Sequence, residues 1–304
     1  MNIYDFFKKF PDENSARNYF EEKRWGNVKV CPHCGSANIA ECKNHIPMPY
    51  RCKDCRKHFS VRTGTILEES RLPLQKWLMA MYMLTSARKG ISSIQMAKEL
   101  GVTQKTAWFL AQRIREAWLV QNGETDNDKF DGEVEVDETF IGGKEKNKHA
   151  NKKINEGRGG VGKYIVVGVK QRDGHVVAQQ IENTSAKTLH GFIGNNVKQG
   201  ANVYTDNFKS YKGLKNYTHK SVNHSVGEYV KEQVHTNGIE SFWALLKRGY
   251  YGIYHFMSAK HLDRYVKEFS FRYNTASCSV LDFIDMTIDG MQGKHLTYKE
   301  LINE

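Results

Sequence analysis

Residues 133–143 read Glu133-Val-Glu-Val-Asp137-Glu-Thr-Phe-Ile-Gly-Gly143. Strict alternation puts Val134 and Val136 on one face of an extended segment and Glu133, Glu135 and Asp137 on the other, the period-2 signature of a strand. Such a strand has one face for a core and carries acid toward its end. The pattern repeats downstream. Tyr164 to Lys170, Val176 to Ile181 and Asn202 to Asp206 are further strand-like runs, separated by turn residues such as Asp173-Gly174. The first three runs suit a meander. A helical stretch from Ser185 to Lys198 precedes the fourth, and Gly238 to Arg248 and Ser258 to Tyr273 carry helical periodicity. Strands followed by helices in this way predict a mixed sheet flanked by helices.

Upstream the texture changes. Residues 121–132, QNGETDNDKFDG, are almost free of apolar side chains and mark a linker. Residues 66–120 show apolar spacing at Leu74, Trp77, Leu78, Met81 and Leu84, then at Ile94, Ala97, Leu100, Ala107, Leu110 and Ile114, which predicts a small helical domain. Within it, Ser92 to Trp118 reads as two helices joined at Leu100-Gly101-Val102. Gly101 takes the positive φ of a tight turn, and Thr103 caps the second helix. This is a helix-turn-helix pattern, whose second helix would enter a major groove through Gln104, Lys105 and Thr106. An αα-hairpin with no nucleic-acid role has the same local pattern.

Residues 1–65 hold five of the six cysteines. Cys31-Pro-His-Cys34 and Cys52-Lys-Asp-Cys55 are separated by 17 residues, inside the window of roughly 15–20 expected for a two-knuckle zinc site. Four thiolates on two facing knuckles suit tetrahedral zinc, with every position filled by protein, so this metal is structural. Spacing alone also admits iron in a rubredoxin-like shell; disulfides do not suit a reducing compartment. Cys42, His33, His45 and His58 are read as bystanders, and Cys278 as a small buried apolar residue.

The chain has 304 residues with a formal charge of +11, and residues 1–122 carry +9 of it. Basic surface gathers polyanions through counterion release, so nucleic acid is the first partner to consider. The longest apolar run, Trp77 to Leu84, has eight residues, against roughly 20 for a membrane span. No secretory signal opens the chain, which gives a cytoplasmic expectation.

Two more acids share the character of Asp137. Val203-Tyr-Thr-Asp206 is a short β-rich run ending in a carboxylate, and Glu240 shares a helical face with Trp243, Ala244 and Lys247. Strand ends are where α/β folds place their sites. Three carboxylates suit a pair of hard divalent cations, which keep coordination positions open for phosphate oxygens. Glu135 and Glu138 compete with Asp137 as ligands, and Asn237 with Glu240. Taken singly, each acid also reads as solvated charge.

The runs VEVDETFIGG at Asp137, VYTDNFKSY at Asp206 and HTNGIESFWALLKRGYYGIYHFMSAKHLDRYVKEFSFRYN after His235 resemble bacterial insertion-sequence transposases that join an N-terminal zinc ribbon to a DDE catalytic domain. The resemblance covers nearly the whole chain. It implies a zinc ribbon with leading helix at 1–65, a helix-turn-helix domain at 66–120, a linker at 121–132 and an RNase H-like catalytic domain at 133–304. It makes Asp137, Asp206 and Glu240 a triad spaced by 69 and 34 positions, holding two Mg²⁺ or Mn²⁺ ions. Lys247, seven residues past the glutamate, would contact a DNA phosphate, with Arg248 beside it. The implied partners are the double-stranded terminal inverted repeats of the element, target DNA and further copies of the chain in a homodimer or larger assembly at the nucleoid. Cleavage would free a 3′-hydroxyl that attacks target DNA. A non-catalytic DNA-binding regulator and a structure-specific nuclease of the same fold are the alternatives. Residues 294–304 correspond to nothing in the family.

Gly157 to Tyr164 fits GxxxxGK, but Tyr164 stands where a phosphate-binding loop has Ser or Thr, and the run leads into a strand rather than a helix. ATP binding is therefore not expected. The lysine-rich run 144–163 reads as solvated charge beside the first catalytic strand, available to DNA backbone.

Overall fold

A computed structural model of the chain describes residues 1–42, 44–119, 129–143, 149, 151, 153, 160, 162–222 and 235–303. Most of the predicted linker and of the lysine-rich run 144–163 lies outside the described residues. The chain divides into two compact units, Met1–Val120 with Ser277–Glu304, and Gln121–Ala276.

The first unit opens with helices α1 (Ile3–Lys9) and α2 (Glu13–Trp25). Each starts at a capping box, Asn2 with Asp5 and Asp12 with Ser15, which satisfies amides that lack an intrahelical acceptor. Three short antiparallel strands follow, β1 (Ile39–Glu41), β2 (Tyr50–Cys52) and β3 (His58–Phe59). Tyr50 and Phe59 pack with Trp25 around Cys31 and Cys52.

Helix α3 (Leu74–Ser86) is buried along most of its length, as its nearly continuous apolar run requires. Ser92 caps α4 (Ser93–Leu100), which ends at Gly101 with φ 60° and ψ 49°, and Thr103 caps α5 (Gln104–Ala117). The left-handed turn falls where a residue without Cβ sits. Ile94, on the expected apolar stripe, is instead 60% exposed, while Met96, Ala97 and Leu100 face inward. The buried face of α4 is rotated relative to the one that simple spacing suggests.

In the second unit β4 (Glu133–Ile141), β5 (Tyr164–Gln171) and β6 (Val176–Ile181) form the antiparallel meander. After helix α6 (Ala186–Asn196), β7 (Asn202–Asp206) pairs parallel with β4, and β8 (Thr218–Val222) pairs parallel with β7. The order is β6-β5-β4-β7-β8. Strand β8 has no period-2 apolar signature: it is an edge strand reading Thr-His-Lys-Ser-Val that fully buries only Val222.

The two faces of the sheet are covered differently. Val134, Val136, Val167 and Val169 pack against Leu189, Phe192 and Ile193 of α6. Opposite them, α7 (Asn237–Gly249) and α8 (Ala259–Asn274) bring Ile239, Phe242, Leu246, Val266 and Phe269 onto Val166, Val176 and Ala178. Valine-rich alternation on a central strand therefore fixes which face each acid of β4 occupies.

Sequence division runs the last block through residue 304, whereas Ser277–Glu304 belongs to the first unit. Helix α9 (Val280–Asp289) buries Phe283, Ile284 and Ile288, and the short α10 (Tyr298–Asn303) buries Leu301. The Trp118 indole N–H donates to Thr287 Oγ1 at 2.9 Å in a buried bond, and Lys294 Nζ donates to the carbonyls of Ala117 and Leu119 at 3.0 and 2.7 Å. Lys294 thus caps the end of α5 and the chain just beyond it. Cys278 is exposed rather than buried, because it lies in the turn just before the Ser279 cap of α9. Among the described residues no helix is long and apolar enough to cross a membrane.

Truncation after Ala276 removes the buried side chains of α9 and α10, each contributing roughly 1.5–3 kcal/mol. The expected result is a fall in the thermal midpoint of the first unit by well over 5 °C, read by differential scanning calorimetry.

Candidate active site and metal centre

The acids of β4 sort by face. Asp137 and Glu135 lie on the α7 side, while Glu138 lies on the α6 side with Val134 and Val136. The parallel register pairs Glu133 with Asn202 and Glu135 with Tyr204. That offset of 69 positions, continued two residues past the last pair, aligns Asp137 with Asp206, on strands that pair about 4.8 Å apart. Burial first, then the neighbouring carboxylates of Glu138 and Asp206, push Asp137 up to about 7. Glu138 is raised by burial and by Asp206, against a lowering bond from the Tyr211 hydroxyl at 2.5 Å.

A second set of contacts holds α7 in place. The Trp243 indole N–H donates to Asp137 Oδ2 at 2.9 Å. Gly168 of β5 is the register partner of Asp137, and a Cβ there would stand 2.8 Å from the Trp243 ring. Glycine inside an otherwise valine-rich strand makes room for the indole. Glu135 is 1% exposed and accepts from the Ile239 amide at 2.9 Å, with the His235 ring 3.3 Å away and Arg172 Nε at 3.9 Å. A buried carboxylate on the first amides of a helix satisfies them and matches the helix dipole. Gly238 lets it come close, since a Cβ there would lie 2.8 Å from Glu135 Oε2. Glu135 is consequently a structural anchor of α7 and not an open ligand.

Glu240 lies in the first turn of α7, one turn before Trp243, and is exposed, accepting from the Thr236 hydroxyl at 3.2 Å. The Phe208 amide donates to Asp206 Oδ1 at 3.0 Å. Among the described residues only the four cysteines bring three or more donor atoms within 4.8 Å of one another; Asp137, Asp206 and Glu240 do not close that far. Asn237 is exposed at the first position of α7, and Lys247 and Arg248 occupy its last turn, half-buried and exposed respectively. On α5, Gln104 and Lys105 are exposed: the Gln104 amide donates to Ser93 Oγ at 2.8 Å, Lys105 Nζ sits 4.3 Å over the Tyr298 ring, and Thr106 bonds back to Thr103. Sequence reasoning placed Trp243 on the helix stripe but missed its bond to Asp137, and missed Gly168, Tyr211 and Tyr298. Glycine in a valine-rich strand was the available signal for the first pair.

In the cysteine cluster the Cys31 and Cys55 sulfurs lie 3.7 Å apart, and those of Cys34 and Cys52 3.6 Å. Zinc–sulfur bonds of about 2.3 Å at tetrahedral angles require sulfurs about 3.8 Å apart. The four residues therefore fit structural zinc. The Cys55 amide N–H approaches Cys52 Sγ at 3.5 Å and, as the leading cause, pulls that thiol down to about 7, favouring the thiolate. Cys42 and the three nearby histidines stay outside the cluster.

Comparison with known proteins gives a consistent answer. Residues 129–274 match the ISXO2-like transposase domain, and residues 11–58 match a transposase zinc-ribbon domain. An uncharacterized protein in transposable element ISH50 of Halobacterium salinarum is 28% identical over 280 residues, covering 87% of this chain and 92% of that protein. An uncharacterized transposase-like protein of Haemophilus influenzae is 32% identical over 98 residues, covering 32% of this chain and 78% of that protein.

Gly168→Ala drives a methyl into the Trp243 ring and should cost roughly 1–3 kcal/mol, seen as a lower urea midpoint at unchanged slope. Elemental analysis should find one zinc per chain, absent in Cys52→Ser and retained in Cys42→Ser and Cys278→Ser.

Proposed function

The chain belongs to the ISXO2-like family of insertion-sequence transposases, and on that premise we propose that it cuts the ends of its element by metal-dependent phosphodiester hydrolysis and joins the freed 3′-hydroxyls to target DNA. The observation that carries this reading is Asp137 and Asp206 at the ends of adjacent parallel strands, near enough that, after burial and Glu138, the charge of Asp206 raises the Asp137 pKa, beside a helix that Trp243 fastens to Asp137 and that bears Glu240 one turn away. The mixed sheet between two helical layers supports an RNase H-like catalytic domain.

Asp137, Asp206 and Glu240 would hold Mg²⁺ or Mn²⁺, two ions per site, since an all-oxygen donor set suits hard cations. Such ions, when bound, activate the attacking oxygen and stabilise the leaving one in an in-line displacement. The protein's own part is orientation. Trp243 engages one oxygen of Asp137 and the Phe208 amide one oxygen of Asp206, which orients both carboxylates. Lys247, seven residues beyond Glu240 on the same helical face, takes a DNA phosphate near the cleaved bond, with Arg248 next to it.

End recognition falls to the first unit. The glycine turn and the Thr103 cap support a helix-turn-helix in which Gln104, Lys105 and Thr106 reach base edges, with the zinc ribbon adding basic surface on the terminal inverted repeats. Bringing two ends together calls for a homodimer or larger assembly acting at the nucleoid.

Incubation of purified protein with labelled element ends, Mg²⁺ and a second duplex should yield strand-transfer products. Asp206→Asn should keep end affinity within about twofold and reduce cleavage and joining by at least ~10³-fold. Metal-independent binding with no nicking by the wild type would leave a regulator, and nicked but unjoined ends would leave a nuclease.

A further inference from the structure

Beyond its last α-helical turn, α7 continues as a π-helix, Tyr250–Tyr254, and then reverses at His255, whose φ of 57° is costly for a residue with a side chain. A π-helix and a left-handed non-glycine residue in succession persist only where their surroundings hold them, and both recur at functional sites. Here the anchors are visible. Tyr250 and Met257 are buried, and Tyr254 packs on Tyr265 and Phe269 while its hydroxyl donates to Glu268 Oε1 at 2.9 Å.

Between those anchors two aromatic rings stand in solvent. Tyr251 is 50% and Phe256 is 68% exposed. Tyr251 follows Glu240 by eleven positions, so Glu240, Ala244, Lys247 and Tyr251 recur at helical spacing along one side, and Glu240, Ala244 and Tyr251 are exposed. At about 1.5 Å per residue the ring lies roughly 16 Å beyond the catalytic glutamate, the span of a few nucleotides.

Charge indicates the occupant. Residues 241–262 contain no Asp or Glu, in a chain with 34 of them, yet include Lys247, Arg248, His255, Lys260 and His261. Exposed rings set among cations, with no carboxylate between them in the sequence, suit stacked bases and the phosphates that join them. Resting on the transposase reading above, we propose that Tyr251 and Phe256 form a stacking platform for unpaired bases of the DNA strand leaving the active site, with Lys247, Arg248 and Lys260 on its phosphates.

The test compares full-length protein on two duplexes of the element's end, one stopping at the cleaved bond and one carrying a single-stranded tail of about four nucleotides beyond it. Wild type should bind the tailed duplex roughly tenfold more tightly. Tyr251→Ala and Phe256→Ala should each lose most of that preference while binding the truncated duplex as wild type does, and Tyr251→Trp should restore it. If wild type shows no tail preference, or both alanine variants keep it, the platform is overturned while end binding and strand transfer by wild type leave the transposase reading standing. If wild type neither binds nor cuts element ends, both fall together. Because both rings are exposed, unchanged circular dichroism spectra separate loss of contact from loss of fold.

Discussion

The second unit of this protein depends on how one helix is fastened across one strand. Helix α7 meets β4 at two points of opposite character. Glu135 takes the Ile239 amide from inside the core, and the Trp243 indole donates to Asp137 at the edge of the site. Both contacts require glycine on the facing element, Gly238 for the first and Gly168 for the second. Two missing side chains thus permit two hydrogen bonds, one buried and one half-buried, and those bonds set where Glu240 and Lys247 stand relative to the strand acids. A helix held only by its apolar stripe could rotate or slide; hydrogen bonds to fixed carboxylates remove that freedom.

The same arrangement gives five neighbouring acids different roles through environment alone. Glu133 pairs with Arg172 at 2.7 Å and with the Tyr204 hydroxyl at 2.8 Å, Glu135 holds a helix, and Glu138 holds Tyr211. Asp137 accepts the Trp243 indole and Asp206 the Phe208 amide, each by one oxygen, on strands that pair in parallel two residues earlier. Burial first, and then the negative charge of Glu138 and Asp206, raises the affinity of Asp137 for a proton, and such a negative field attracts a divalent cation.

The first unit solves a different problem. Its ribbon has strands of two and three residues, too short to support a core, so Cys31, Cys34, Cys52 and Cys55 supply a metal-sized cross-link beneath Trp25, Tyr50 and Phe59. Its helices are completed from the far end of the chain. Thr287 satisfies the buried indole of Trp118, and Lys294 caps the carbonyls at the end of α5.

By itself the sequence determined the elements and the chemistry they carry. Alternation in β4, the CxxC spacing and the Gly101 turn are local signals, written in consecutive residues, and the family resemblance likewise rests on unbroken runs at Asp137, at Asp206 and after His235. Four of the five strands of the large sheet were legible for that reason; β8 was not, since an edge strand with one buried side chain has no periodicity to read. Ile94 and Cys278 were misjudged because a short helix can turn its face and a lone cysteine has no pattern. Tertiary structure alone decided which acids are structural, that Gly168 exists for Trp243, and that residues 277–304 complete the first unit. Those facts turn on packing between segments separated by dozens to more than a hundred positions, where distance is fixed by side chains meeting in space and no spacing along the chain encodes it.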